Sequence, residues 1–187
     1  MNVVMIMSGG VGKRFGANLP KQYLKINNKP VIDYVIEKVK KATKVDKIVI
    51  VMDKKYMNLS KLINEKEFII ADNGAERYDS INNGFEAIKS SKIKCDKILI
   101  ADAVAPLIYP ELVDYYFDLL DEYDCVITAQ KITGALGNYN YDKLDRENYY
   151  MTQSPEAFKF DQITKYFDPT SQTQELAWQL PKETKKF

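Results

Sequence analysis

The amino-acid sequence predicts an α/β fold in a single domain, a mainly parallel sheet flanked by helices. Three observations predict it. The runs VVMIM, KIVIVM and KILI are apolar throughout and do not alternate, as strands covered on both faces do not. Segments with helical spacing of apolar residues lie between them. The chain of 187 residues has the size of one domain.

Val3–Met7 reads as the first strand, and a glycine-rich turn follows it. Val31–Ala42 reads as a helix with Val31, Tyr34, Val35 and Val39 on one face and lysines on the other. Lys47–Met52 is a second buried strand, Tyr56–Asn64 a short helix and Phe68–Ala71 a short third strand. Ser80–Ser90 is helical, and Lys97–Ile100 is a further strand. Pro110–Glu122 opens on proline, which suits the first helical position, and carries Leu112, Tyr116, Leu119 and Leu120 on one face. Asp124–Gln130 is a strand. The repeated β-α-β order implies a Rossmann-like sheet with helices on both faces. Residues 134–150 are polar, rich in Tyr and Asn, and lack a helical stripe. They predict a projecting β-hairpin arm, with an ordinary surface loop as the alternative. The polar tail holds a short helix candidate at Glu175–Leu180.

Composition narrows the chemistry. Hydrophobic residues make up 45% and charged residues 28%, values of a packed globular protein. No apolar run approaches the ~20 residues of a membrane helix. The N-terminus is strand-like and lacks a basic stretch leading to a cleavage site, so a cytoplasmic location is expected. A net charge of +1 with interspersed lysines argues against a nucleic-acid-binding surface. The chain has no histidine, which removes Cys/His zinc sites, histidine-dependent nucleophiles and the usual general base. Cys95 and Cys125 read as small buried apolar groups. An enzyme built from this chain must use Lys, Arg, carboxylates, backbone amides and a bound metal.

In parallel sheets ligands bind outside the C-terminal strand ends, so the loops after Met7, Ile70 and Ile100 are the places to look. The first of these reads Ser8-Gly9-Gly10-Val11-Gly12-Lys13-Arg14-Phe15-Gly16, with Pro20-Lys21-Gln22-Tyr23 downstream. Glycines after a buried strand let backbone N–H groups approach phosphate oxygens. The spacing fits neither a P-loop nor a dinucleotide fingerprint. Its distinctive feature is the set of cations, Lys13, Arg14 and Lys21, beside the turn. Attack of a phosphate monoester on an α-phosphorus joins two polyanions, and cations with Mg2+ neutralise the transition state without a covalent enzyme intermediate. The bland alternative is a plain tight turn. Taken together, these residues point to a nucleotidyltransferase that releases pyrophosphate.

SGGVGKRFG and PKQY together resemble the signature of the cytidylyltransferases that act on 2-C-methyl-D-erythritol 4-phosphate, ribitol 5-phosphate and related polyol or capsule precursors. Asn73–Ser80 (NGAERYDS), Ala101–Pro106 (ADAVAP), and Leu144–Arg146 followed by Gln153–Phe158 (QSPEAF) resemble further motifs of that family in the same order, through about residue 160. The resemblance implies that Ser8, Gly9, Gly10, Gly12 and Lys13 cradle the CTP phosphates, and that Arg14 and Lys21 are the catalytic cations. It implies that Gly74, Ala75 and Ser80 read the cytosine, with Arg77 structural; Ser80 would equally serve as a helix N-cap. Asp102 would hold Mg2+ directly or through water, or orient the acceptor's hydroxyls, a buried structural aspartate being the alternative.

The resemblance further implies that residues 134–150 form an arm reaching across a two-fold axis of a homodimer. Thr133 and Arg146 would then bind the acceptor phosphate of the neighbour, the alternative for Arg146 being an ion pair with Asp142 or Glu147. Two positions depart from the family pattern. Ala105 stands where an arginine fork would hold the acceptor, and Glu156 stands where the pattern has glutamine. The resemblance therefore leaves the acceptor open among a polyol phosphate, a capsule precursor such as phosphoglutamine, and 2-C-methyl-D-erythritol 4-phosphate. A sugar-1-phosphate or molybdopterin nucleotidyltransferase, and a nucleotide-binding module without catalysis, are the other readings. Thr173–Leu176 and Lys185 or Lys186 faintly echo the family's C-terminal residues.

Overall fold

The structure is a computed structural model, and it describes residues 1–10, 19–140, 142–173 and 175–187. Gly12, Lys13 and Arg14 lie outside the described residues.

The strands are β1 (Asn2–Ser8), β2 (Lys25–Ile26), β3 (Lys29–Pro30), β4 (Lys47–Met52), β5 (Ile69–Asp72), β6 (Lys97–Asp102), β7 (Cys125–Lys131) and β8 (Tyr150–Lys159). The helices are α1 (Val31–Lys41), α2 (Arg77–Ser90), α3 (Pro110–Glu122) and α4 (Phe160–Tyr166). Short 3-10 turns occupy Lys21–Tyr23, Lys54–Leu59, Arg146–Asn148 and Leu176–Gln179. Six strands form one sheet in the order β5-β4-β1-β6-β8-β7, and β2 pairs with β3 in a separate hairpin. β1 pairs in parallel with both β4 and β6, and β4 with β5. β8 is antiparallel to β6 and to β7.

The fully apolar strands β1, β4 and β6 are buried on both faces, as their composition requires. One face packs against α1 and α3 through Ile6, Ile32, Ile36, Ile50, Leu99 and Phe117. The other packs against α2 and α4 through Met5, Ile81, Phe85, Ile100, Phe158 and Ile163. Chain order moves from β1 out to β4 and β5, then returns to the far side of β1 as β6. The crevice between the ends of β1 and β6 is therefore the topological switch point, where this class of sheet leaves room for a ligand.

Several expectations are corrected in detail. Helix α2 starts at Arg77, three residues before Ser80. Its N-cap is Glu76, whose side chain and that of Asp79 form a reciprocal capping box. Ser80 is thus inside the helix and is not its cap. The expected short helix over Tyr56–Asn64 is a 3-10 turn over Lys54–Leu59, and the Glu175–Leu180 candidate is a 3-10 turn over Leu176–Gln179.

β8 and α4 were not expected from the sequence. The ladder of the hairpin runs along β7 and β8, with Lys131 opposite Tyr150. Among the described residues, 134–149 contain no strand, so the arm is the loop of that hairpin and not a hairpin itself. Its polar side chains explain why. Asn138 Oδ1 accepts the backbone N–H groups of Asn140 and Asp142 at 3.0 and 3.1 Å, offering the backbone partners that a ladder would otherwise supply.

Cys125 is buried and Cys95 half-buried, and both thiols are free. Burial pushes the Cys95 thiol up to about 12. No described helix is long and apolar enough to cross a membrane.

Candidate active site

Sheet register sets the site. Ser8 stands beside Met52, Met52 beside Asp72, and Met7 beside Asp102, so all four parallel strands end in one row. The loops leaving that row are stitched together. Ala103 N–H donates to the Met7 carbonyl at 3.0 Å, and Asn73 N–H to the Met52 carbonyl at 3.3 Å. Gly9 presses on the loop after β5, where a Cβ at Gly9 would lie 2.5 Å from Asn73 Cβ. Only glycine allows that approach. Gly10 is different, since no described atom lies within 4 Å of its Cβ position.

Beneath the turn lies a second motif. Pro20 precedes a 3-10 turn over Lys21–Tyr23, closed by Tyr23 N–H donating to the Pro20 carbonyl at 2.9 Å. Successive residues point about 120° apart in such a turn. Gln22 and Tyr23 are buried while Lys21 is exposed at the rim. Gln22 Nε2 donates to the carbonyls of Ser8 and Gly10, at 2.7 and 2.9 Å. The hydroxyls of Tyr23 and Ser8 share a hydrogen bond of 3.0 Å. Ser8, expected to touch nucleotide, is only 2% exposed and spends its hydroxyl on Tyr23, so its side chain braces the turn from below.

The loop from Asn73 to Ser80 is held by its own polar atoms. Ser80 Oγ accepts from Gly74 N–H at 2.9 Å and donates to the Glu76 carbonyl at 3.1 Å. A Cβ at Gly74 would fall 2.1 Å from Asp79 Cβ, so that glycine is required by close packing on α2. Ser80 is 5% exposed. Its hydroxyl shapes the loop, and the exposed part of the segment is Ala75, Glu76 and Arg77.

Across the crevice, Arg77 Nη1 donates to Asp102 Oδ1 at 3.0 Å, and Nη2 lies 3.7 Å from Glu156 Oε1. One guanidinium thus ties α2 to β6 and β8. The strand register of β8 against β7 jumps between Glu156 and Gln153, and within that jump the Ser154 hydroxyl oxygen accepts the Asp102 N–H at 2.9 Å. Desolvation pushes the Glu156 carboxyl up to about 7, against the pull of Arg77 and with added repulsion from Glu175 and Asp102. Glu175 is buried, its carboxyl also pushed up by desolvation. The Asp102 side chain remains 37% exposed. No group of three described ligand side chains surrounds a metal position. With no such group around Asp102 among the described residues, its carboxylate suits Mg2+ that arrives on a triphosphate and does not suit a metal held by protein alone.

The arm residues Thr133 and Arg146 meet each other, with Arg146 Nη1 donating to the Thr133 carbonyl at 2.8 Å. Arg146 Nε also lies 3.6 Å from Glu147. Both arm residues are exposed. Lys185 and Lys186 sit beside Cys125, in the row of Ile98 at the opposite end of the sheet from Asp102. The faint tail echo therefore places no lysine at the strand-end row. Sequence reasoning assigned no role to Gln22, Tyr23 or Ser154. No local signal marks Gln22 as buried, since glutamine is ordinarily an exposed residue.

Comparison with known proteins places these features in context. The family profile of 2-C-methyl-D-erythritol 4-phosphate cytidylyltransferase (IspD) matches residues 2–179. The chain is 35% identical over 163 residues to a bifunctional enzyme IspD/IspF of Pelagibacter ubique, covering 85% of this chain and 43% of that protein. It is 29% identical over 178 residues to a bifunctional ribulose 5-phosphate reductase/CDP-ribitol pyrophosphorylase of Haemophilus influenzae, covering 89% of this chain and 37% of that protein. It is 31% identical over 186 residues to a 2-C-methyl-D-erythritol 4-phosphate cytidylyltransferase of Caldicellulosiruptor saccharolyticus, covering 93% and 81%. The chain thus spans less than half the length of the two bifunctional relatives. The solved structure of bifunctional IspDF from Campylobacter jejuni superimposes with a TM-score of 0.82 at 20% identity, over 100% of this chain and 48% of that one. That likeness is one of fold.

Proposed function

The chain belongs to the 2-C-methyl-D-erythritol 4-phosphate cytidylyltransferase (IspD) family, and from that premise we propose that it transfers the cytidylyl group of CTP to a small phosphate monoester. The acceptor's phosphate oxygen attacks the α-phosphorus, a new P–O bond forms, and the bond to the β-phosphate breaks with its electron pair leaving on pyrophosphate. The observation that carries this reading is the strand-end row. Gly9 and Gly10 at the end of β1, with the exposed Lys21, stand across the switch-point crevice from the accessible carboxylate of Asp102.

Gly9, Gly10 and Gly12, with Lys13, take the triphosphate, and Arg14 and Lys21 neutralise the charge that grows on the transferring phosphate. Ser8 and Ser80 support the two loops from within, leaving Gly74 and Ala75 to meet the pyrimidine through backbone atoms. Mg2+ bound with the triphosphate supplies charge neutralisation, and Asp102 is the residue to hold it. Thr133 and Arg146 meet the acceptor phosphate of a neighbouring copy in a homodimer. The reaction belongs in the cytoplasm, where CTP is available.

Ala105 and Glu156 bear on the acceptor. The site loses one cation and gains one acid relative to the family pattern, which disfavours an acceptor held by two forks. This favours a polyol phosphate or a capsule precursor such as phosphoglutamine over 2-C-methyl-D-erythritol 4-phosphate. The test is pyrophosphate release from CTP and Mg2+ with methylerythritol phosphate, ribitol phosphate, phosphoglutamine and phosphocholine, alongside UTP, GTP and ATP. One CDP-product is expected, and Lys21→Ala should lower turnover by at least ~10²-fold, as loss of one oxyanion donor does. CTP binding without pyrophosphate from any acceptor would instead indicate a non-catalytic module. Near-normal turnover in folded Lys21→Ala would remove Lys21 from the mechanism.

A further inference from the structure

We propose that Gln22 is a positioning residue for cytidylyl transfer, fixing the glycine turn against the short helical turn that presents Lys21. The inference rests on the nucleotide reading of this edge. Gln22 is 3% exposed, and its Nε2 bridges the carbonyls of Ser8 and Gly10 at 2.7 and 2.9 Å. Both partners are acceptors, so the amide must present its nitrogen to them, and one NH2 group supplies both donors. Among uncharged side chains of this length, only glutamine does that.

The two carbonyls flank Gly9, whose other side presses on Asn73. The turn is therefore clamped between Gln22 and the loop after β5. A planar trans peptide directs its N–H opposite to its C=O. Holding the Ser8 carbonyl toward Gln22 therefore turns the Gly9 N–H away from it. Tyr23 adds a parallel brace through its hydroxyl bond to Ser8, and its ring packs on Tyr56 with centroids 5.1 Å apart. Lys21 and Gln22 are neighbours on one short turn, the first exposed and the second buried. Any slip of Gln22 moves the lysine relative to the glycines, and a shift near 1 Å can cost ~10²-fold in rate.

The experiment compares wild type, Gln22→Glu and Gln22→Leu for kcat and KM of CTP from pH 5.5 to 8.5, with melting curves at each pH. Glutamate has the same shape, but its ionised form accepts only and faces two carbonyl oxygens; its protonated form donates one bond. Expected is a kcat loss of roughly 10–100-fold for Gln22→Glu at pH 8, with KM for CTP changing less than kcat. That loss should recover in part toward pH 5.5, relative to wild type. Gln22→Leu should lose activity without pH-dependent recovery. Wild-type kcat in both folded variants overturns the inference, as does loss that only follows the unfolded fraction, or failure of both to fold. A wild-type chain that releases no pyrophosphate sinks the function reading and this inference with it. An active wild type beside unaffected variants sinks this inference alone.

Discussion

At the scale of single residues, the two described glycines of the turn divide the labour. Gly9 is required by packing, since a Cβ there would sit 2.5 Å from Asn73 Cβ, whereas no described atom lies within 4 Å of a Cβ at Gly10. Gly9→Ala should therefore destabilise the fold by ~1–3 kcal/mol, the usual cost of overpacking. Gly10→Ala, whose added methyl meets no described atom, should leave the melting temperature unchanged and lower turnover with CTP. Full activity in Gly10→Ala would show that no phosphate approaches that face. Glu156 gives a second contrast. Burial raises its carboxyl pKa to about 7, so the folded state holds a proton that the unfolded chain has released between about pH 4.5 and 7. Stability falls as pH rises through that window and is level above it. Glu156→Gln should thus be more stable than wild type at pH 8 by on the order of 2–3 kcal/mol, with the gain vanishing toward pH 4.5. Thermal melts of both proteins at pH 5, 6.5 and 8 check this, and a pH-independent difference would refute it.

At the scale of elements, the helices with an apolar stripe and the fully apolar strands were legible, because period and length alone decide them. The start of α2 was not. Serine is a favoured N-cap and sits at residue 80, yet the capping box closes three residues earlier on Glu76 and Asp79. Glu76 N–H donates to Asp79 Oδ2 at 2.9 Å. Asp79→Ala should then cost about 1 kcal/mol, a typical capping loss, in thermal unfolding followed by circular dichroism. No change would mean that the box contributes nothing to α2. β8 escaped detection for a different reason. Pro155 interrupts the strand pattern, the register jumps beside it, and the first half of the strand is exposed, so neither alternation nor a continuous apolar run survives. The glycine turn and Lys21 could be read because their chemistry is local. The bond from Gln22 back to Ser8 and the Arg77 bridge from α2 to Asp102 depend on tertiary contact, which no local pattern encodes.

At the scale of the whole molecule, Lys185–Phe187 cover β7 at Cys125–Ile127, whereas the loop end of the β7–β8 hairpin is exposed. β7 and β8 end in a polar loop, and Tyr149, Tyr150 and Met151 are exposed at 47%, 47% and 46%, with Tyr139 fully so. A second copy covering that end by two-fold symmetry would bury these side chains and bring Arg146 to its neighbour's crevice. In such a dimer each site would be divided between two chains, with Lys21 from one and Arg146 from the other. Lys21→Ala and Arg146→Ala should each be nearly inactive alone. Mixed after mild dissociation, random pairing makes half the dimers heterodimers, and each heterodimer regains one site built from an intact Lys21 and the partner's intact Arg146. About a quarter of wild-type activity should therefore return. Sedimentation at micromolar concentration should show the dimer, and a loop-shortened variant lacking residues 134–148 should be monomeric. If the mixture stays inactive while heterodimers form, Arg146 acts within its own chain and the arm does not complete the neighbour's site.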